Sequence, residues 1–347
     1  MIDLNLTEEP LMKIKSVVVN DVKDVRIIEE DLYAEHLKPK ECLIKNKVTF
    51  ISPGTELSRV FGFKKGAAYP MRPGYCAVGR IIAKGEDVKD VQIDDLVLYS
   101  GYHASAQLFD QSKSDSGVLY KLDPRLSPQE GAVLKMCWIS MNGILSADVK
   151  CFDTVVIFGL GILGQVLAIL YQEMGVKVIG VDPVVSRCQL AQSMGLKIAL
   201  SCPPKDQAEA IMTLTNKKGA NIVVDASGFS PAIETAIQVA AKNAQVILLG
   251  SPRSDYMSNL TPVLNAIHMK NLHVIGALNK LFPFEEKEGS SLSIRRGLDY
   301  LTQLLIDKRI DAEKIISHTI SPDQIMEAYE GLLNDKEVYT GVIINWD

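Results

Sequence analysis

Chemistry is concentrated first at Gly159-Leu160-Gly161-Ile162-Leu163-Gly164, a G-x-G-x-x-G run that follows the apolar stretch 155–158 and opens a helical pattern. In that setting the first glycine permits a tight turn, the second lets the backbone approach a pyrophosphate, and the third lets helix and strand pack closely. The backbone N–H groups of the helix start, together with the helix dipole, then form an anion site. Asp182 closes the next apolar stretch, eighteen residues past Gly164, where a carboxylate accepts the two ribose hydroxyls of an adenosine. Like-charge repulsion at Asp182 disfavours a 2′-phosphate, so NAD is expected over NADP. Arg187 points the other way, since an arginine here either pairs with a 2′-phosphate or stands solvated. Farther on, Ser227-Gly228, Gly250-Ser251 and Gly276-Ala277 close the fourth, fifth and sixth strands, where small residues admit a nicotinamide ribose.

Composition sets the frame for these residues. The 347 residues are 47% hydrophobic and 23% charged, which fits about two globular domains of ~150 residues and excludes fibrous or disordered chains. The formal charge of −5 argues against nucleic acid or an anionic membrane as partner. Six cysteines stand at 42, 76, 137, 151, 188 and 202 with no two within four residues. Neither a disulfide framework nor a C-x-x-C metal site follows, and a reducing cytoplasm is expected. Asp3, Glu8 and Glu9 precede any apolar run, unlike a secretory signal. The uncharged stretch 154–172 holds three glycines and reads as strand, turn and buried helix rather than a membrane span.

From 12 to about 120, short β-type runs (KIKSVVV, ECLIKNKVTFI, VGRIIAKG, DDLVLYSGY) broken by Gly, Pro and Asp predict a small irregular β-barrel. Ser127-Pro128-Gln129-Glu130 then opens a helix toward Leu145. Beyond Cys151 the runs TVVIFG, VKVIGVD, NIVVDAS, QVILLG and LHVIGA alternate with helical patterns, as in a six-stranded, doubly wound parallel sheet. From about 290 a long helix, the strand IISHTI, a helix over 322–333 and the strand TGVIINW follow, and this part is expected to fold back onto the barrel.

Several stretches carry a resemblance over nearly the whole chain from residue 12: VTFISPGTE at 48–56, RPGYCAVG at 72–79, DDLV at 94–97, DASG at 225–228, HMKNLHVIG at 268–276 and Ala328-Tyr329. Together they resemble the medium-chain dehydrogenase/reductase superfamily of alcohol and polyol dehydrogenases. The resemblance implies an α/β chain in which a GroES-like β-barrel catalytic domain (1–148) precedes a Rossmann NAD-binding domain (149–288). Residues 289–347 would return to the catalytic domain. It also implies a homodimer or tetramer, with the strand near 272–275 pairing across a two-fold axis. Aligned on the zinc-dependent members, Pro53, Tyr75 with Cys76, and Lys135 stand at the zinc-ligand positions, and the stretch 99–122 lacks the structural zinc lobe's cysteines. Proline offers no side-chain donor, phenol is a poor ligand and an ammonium repels the ion, so no zinc is expected. Cys76 and His103 leave only a remote route to a metal. I-S-P-G-T-E and P-G-Y are similar to a zinc-less branch that includes bacteriochlorophyllide dehydrogenases, which implies interconversion of a secondary alcohol and a ketone.

Without a metal, side chains must manage the proton. The resemblance implies that Tyr75 and Lys135 face one another, with the ammonium lowering the phenol's pKa toward neutrality. Thr55 then stands at the hydroxyl position of a proton relay, Ser58 replaces the relay's histidine, and Glu56 either orients Lys135 or pairs with an arginine. Plainer roles fit the same residues: Tyr75 filling the hole left by the metal, Lys135 snorkelling, and His103 as a surface residue rather than the acid/base. Cys76 and Cys137 read as core. Arg253 is either an anchor for an anionic substrate or solvated. The expected activity is oxidation of a sugar, polyol or cyclitol alcohol by NAD. The alternatives are an NADPH-dependent quinone or enone reductase and a non-catalytic NAD(H)-binding redox sensor. The loops 61–69, 251–258 and 279–290 would shape the substrate site.

Overall fold

The structure, a computed structural model, describes residues 12–33, 37–113, 118–252, 255–278 and 282–347. β1 (Met12–Asp21) and β2 (Asp24–Leu32) form an antiparallel hairpin. β3 (Glu41–Ile51) is buried along nearly its whole length because it is paired on both edges. α1 (Pro53–Val60) follows with Pro53 at its first position, which suits a residue with no N–H to satisfy. β4 (Ala77–Lys84), β5 (Leu96–Tyr99), β6 (Ala106–Asp110) and β7 (Leu119–Lys121) complete the first half.

α2 (Pro128–Leu145) starts on a capping box in which the Ser127 hydroxyl accepts from the Glu130 N–H and Glu130 accepts from the Ser127 N–H. It is buried all round from Gly131 to Gly143, as an evenly apolar helix must be. Trp138, Leu134 and Met136 join one core with Val48, Phe50 and Val78 of the barrel, Val166 and Ile169 of the next helix, and Leu298 and Leu301 near the C-terminus. α2 is thus the spine against which both halves pack.

The second half contains β8 (Thr154–Phe158), α3 (Ile162–Glu173), β9 (Lys177–Val181), α4 (Val185–Ser193), β10 (Ile198–Leu200), α5 (Pro204–Leu214), β11 (Ala220–Asp225), α6 (Ser230–Val239), β12 (Ala240–Leu248), α7 (Leu260–Lys270) and β13 (His273–Gly276). Its six parallel strands run in the order β10-β9-β8-β11-β12-β13, the Rossmann arrangement. The three-residue β10 is the strand that the sequence runs did not include. α8 (Ile294–Ile306), α9 (Ala312–Ile315), β14 (Ile316–Ile320), α10 (Ile325–Asn334) and β15 (Gly341–Asn345) follow. β15 lies between β14 and β3, so the C-terminal part completes the first sheet, whose order is β14-β15-β3-β4-β5-β7 with β6 on β3. All six cysteines are free thiols. Among the described residues no helix is long and apolar enough to cross a membrane.

Candidate active site

At the carboxyl end of β8 the chain turns at Gly159, whose φ of +90° places it where a side chain would be strained. Gly164 lies so close to that turn that an added Cβ would stand 1.8 Å from the Gly159 carbonyl oxygen. Gly161, by contrast, opens onto space and begins α3 with no side-chain cap. The helix start therefore keeps unsatisfied backbone donors beside Ile162 and Leu163, facing a cradle that a phosphate pair would fill. Across it, Ser227 donates its hydroxyl to Asp225 (2.6 Å), and the loops carrying Gly228 and Gly250 touch backbone to backbone. Ala277 is buried, its N–H bonded to the Leu248 carbonyl, while Ser251 stands exposed. This geometry fits a dinucleotide.

Asp182, expected to accept the ribose hydroxyls, already accepts from backbone donors. Its side chain is 3% exposed, with Oδ2 accepting from the Leu160 N–H (2.8 Å) and Oδ1 from the Val184 N–H (2.9 Å). The carboxylate thus braces the glycine turn first, and only its remaining lone pairs face a ribose. Arg187 is not free in solvent either: its guanidinium lies 3.8 Å from Asp182, and its Nε, like the neighbouring Ser186 hydroxyl, is buried without a partner.

The residues expected to handle the proton come from α1, the turn before β4, and α2. Tyr75 is half-buried and its hydroxyl lies 2.5 Å from Ser52 Oγ, with the Thr55 side chain close by. Burial pushes the phenol up to about 12, opposed in part by these hydroxyls. The expected fall toward neutrality is therefore overturned: no hydrogen bond joins Tyr75 to Lys135. The ammonium of Lys135 reaches Ser100 Oγ instead (3.3 Å), beside Cys76, and burial lowers its pKa to about 8. Lys135 is 1% exposed and does not snorkel.

Glu56 also differs from expectation, meeting neither Lys135 nor an arginine. Its Oε1 accepts from the Ser52 N–H (2.6 Å), and its Oε2 accepts from the Tyr329 hydroxyl (2.7 Å) and lies 2.8 Å from His103 Nε2. His103, read from sequence as a surface residue, is wholly buried, and its Nδ1 lies 2.8 Å from Thr49 Oγ1, which also accepts from Trp346 Nε1. With a proton on Nε2 the ring donates to the Glu56 carboxylate, which then takes three donors, and Nδ1 stays in hydrogen-bond contact with the Thr49 hydroxyl. Sequence reasoning missed Ser52 as the partner of Tyr75, although it lies inside the I-S-P-G-T-E motif. Ser58 turns its hydroxyl onto the Thr55 carbonyl (2.8 Å). Cys76 and Cys137 are buried thiols that burial holds protonated, as expected of core residues. Arg253 lies outside the described residues.

The positions that would ligate zinc hold Pro53, Tyr75 and Lys135, and among the described residues no group of three His, Cys, Asp or Glu side chains converges. This donor set does not fit the metal.

A model described as zinc-binding dehydrogenase matches residues 163–288, which cover the dinucleotide half from the start of α3 onward and none of those positions. D-guloside 3-dehydrogenases of Escherichia coli (strain K12) and Shigella flexneri are 32% identical over 166 residues, 48% of this chain and 47% of theirs. The match thus spans about half the length of these relatives. Galactitol 1-phosphate 5-dehydrogenase of E. coli (strain K12) is 22% identical over 90% of this chain and 94% of its own. The crystal structure of galactitol-1-phosphate dehydrogenase from E. coli superposes with a TM-score of 0.79 at 20% identity, covering 95% and 99% of the two chains. A Rossmann sheet beside a barrel that the C-terminal strands complete, together with these likenesses, gives the chain the fold of these dehydrogenases and, from residue 163 to 288, a match to the zinc-binding dehydrogenase family.

Proposed function

We propose that this protein is a zinc-independent, NAD(H)-dependent oxidoreductase that interconverts a secondary alcohol of a sugar or polyol with the ketone. The observation that carries the reading is the hydroxyl cluster Tyr75–Ser52–Thr55 at positions where a metal and its relay would otherwise act. The names of the relatives, a guloside 3-dehydrogenase and a galactitol 1-phosphate 5-dehydrogenase, support the substrate class. A nicotinamide dinucleotide would supply the hydride acceptor; the backbone of Gly161, Ile162 and Leu163 would hold its pyrophosphate, and Ser227, Gly250, Ser251 and Ala277 would flank its nicotinamide ribose.

Tyr75 remains a phenol at neutral pH, so it orients the substrate oxygen by a hydrogen bond and transfers its own proton only as it receives another. As the alcohol's proton passes to Tyr75, the phenol gives its own to Ser52 Oγ, and Ser52 hands its hydroxyl proton on toward Thr55, which does the same. Thr55 borders open space and releases a proton to solvent. Lys135 sits behind this cluster beside Cys76. Burial lowers its pKa to about 8, which lets it lose its proton in mildly alkaline solution. Glu56, His103 and Tyr329 hold the Ser52 backbone in place.

The test is hydride transfer from polyols to NAD by metal-stripped protein. Full activity after chelation, lost in Tyr75→Phe and Lys135→Met, is the expected result; a requirement for one tightly held zinc per chain would end the reading. One observation favours a second cofactor. The unpartnered Arg187 Nε and Ser186 hydroxyl beside Asp182 are donors that a 2′-phosphate would satisfy, and a higher kcat/KM with NADP than with NAD would decide for it. We also infer that two copies associate through β13 and α7. β13 is the sheet's edge, and Leu260, Leu264, Met269, Val274 and Leu278 leave an apolar surface exposed around it.

A further inference from the structure

We propose that the substrate carries an anionic group, a phosphate or a carboxylate, and that Arg59 and Lys64 hold it in the cavity beside Thr55. This rests on the alcohol–ketone reading above and narrows its substrate.

α1 is two-faced. Glu56, Leu57 and Val60 turn into the core, whereas Thr55, Ser58 and Arg59, spaced i, i+3 and i+4, line a cavity of about 290 Å³. Phe63, Lys64 and Lys65 form its rim on one side, and Ser251, Pro252 and Asp255 from the loop after β12 form the other. The cavity therefore joins the reactive hydroxyls to the carboxyl end of the Rossmann sheet.

Its charges are unbalanced. Lys65 is neutralised by Asp255, but among the described residues neither Arg59 nor Lys64 has a carboxylate within ion-pair distance. In a chain of net charge −5, two uncompensated cations on one cavity select for an anion. The guanidinium fork suits a phosphate or carboxylate in two-point contact, with the lysine as an added point charge. Four residues, about 6 Å of helical rise, separate Thr55 from Arg59 along α1. The anion thus lies several bonds from the carbon being oxidised, as at the far end of an open-chain polyol.

Initial rates of the full chain with NAD on a matched set of a hexitol, its terminal phosphate monoester and the corresponding aldonate test the inference. The anionic members should exceed the hexitol in kcat/KM by about 10- to 100-fold, and the better of the two identifies the anion. Arg59→Gln with Lys64→Gln should collapse that ratio toward one, and Arg59→Lys should restore part of it. Equal use of the hexitol, or a ratio unchanged in the double variant, would overturn the proposal while leaving the alcohol–ketone reading intact. Should no member be oxidised, that reading fails, and the subsite is judged separately by calorimetry of inorganic phosphate with NADH-saturated protein. Phosphate binding that the double variant abolishes supports the subsite. No binding, or equal binding in both proteins, sinks it.

Discussion

Lys135 concentrates the cost and the use of burying a charge. Its ordinary pKa of 10.5 falls to about 8 in the fold, so between those pH values the unfolded chain binds the extra proton. Folding stability from this group therefore rises with pH across about 8 to 10.5, and below 8 the penalty is fully present. The offset corresponds to about 3 kcal/mol at most. Lys135→Met should thus gain stability in urea denaturation at pH 7, by up to that amount, and the gain should vanish near pH 10.5 while turnover is lost. A variant less stable at pH 7 would mean that the ammonium is well paired after all. His103→Ala should do the reverse, costing about 3 kcal/mol in the same assay by leaving the buried Glu56 and Thr49 without a donor and an acceptor. A loss under 1 kcal/mol would show that the network is slack. Tyr75, Lys135, Thr55 and Glu56 were readable as polar residues inside motifs, but not who touches whom. His103 lies in a loop just past a strand, and nothing local tells a covered loop from an open one. The Tyr75–Lys135 pairing failed because α2 passes Lys135 behind the turn, toward Ser100.

The elements divide by how strongly local chemistry marks them. α2 is legible because Ser127, Pro128 and Glu130 cap it and its apolar run is unbroken, and β8, β9, β11 and β12 are legible as buried Val and Ile runs. β2 is masked by its Asp, Arg and Glu residues, which an exposed hairpin tolerates, and β10 by having three half-buried residues at a sheet edge. The glycine turn gives a separable prediction. Gly164→Ala collides with backbone that cannot move and should lower the melting temperature and abolish cofactor binding together. Gly161→Ala meets nothing within 4 Å. It should leave the melting temperature nearly unchanged yet weaken NADH binding, read by fluorescence titration, by about tenfold or more. Unaltered NADH affinity in Gly161→Ala would mean that the cradle at α3 is not where the pyrophosphate lies.

At the scale of the whole molecule, the apolar surface around β13 predicts a solution mass of at least two chains by light scattering. Leu264→Glu with Met269→Glu should bring the mass to one chain; a monomeric parent protein would discard the pairing. The other whole-molecule feature is the strand β15, seated between β14 and β3 and followed by Trp346, whose indole donates to Thr49. Ribosomal synthesis delivers this strand about 290 residues after β3, its partner. The Rossmann half, contiguous in the chain, is free to fold as it emerges. The first sheet must wait, because β6 covers only residues 41–45 of that edge of β3 and residues 48–51 stay unpaired, their N–H and C=O groups open to any passing strand. That interval, rather than the finished fold, is where the nascent protein is most exposed to misassembly, and where removal of residues 341–347 would leave it permanently.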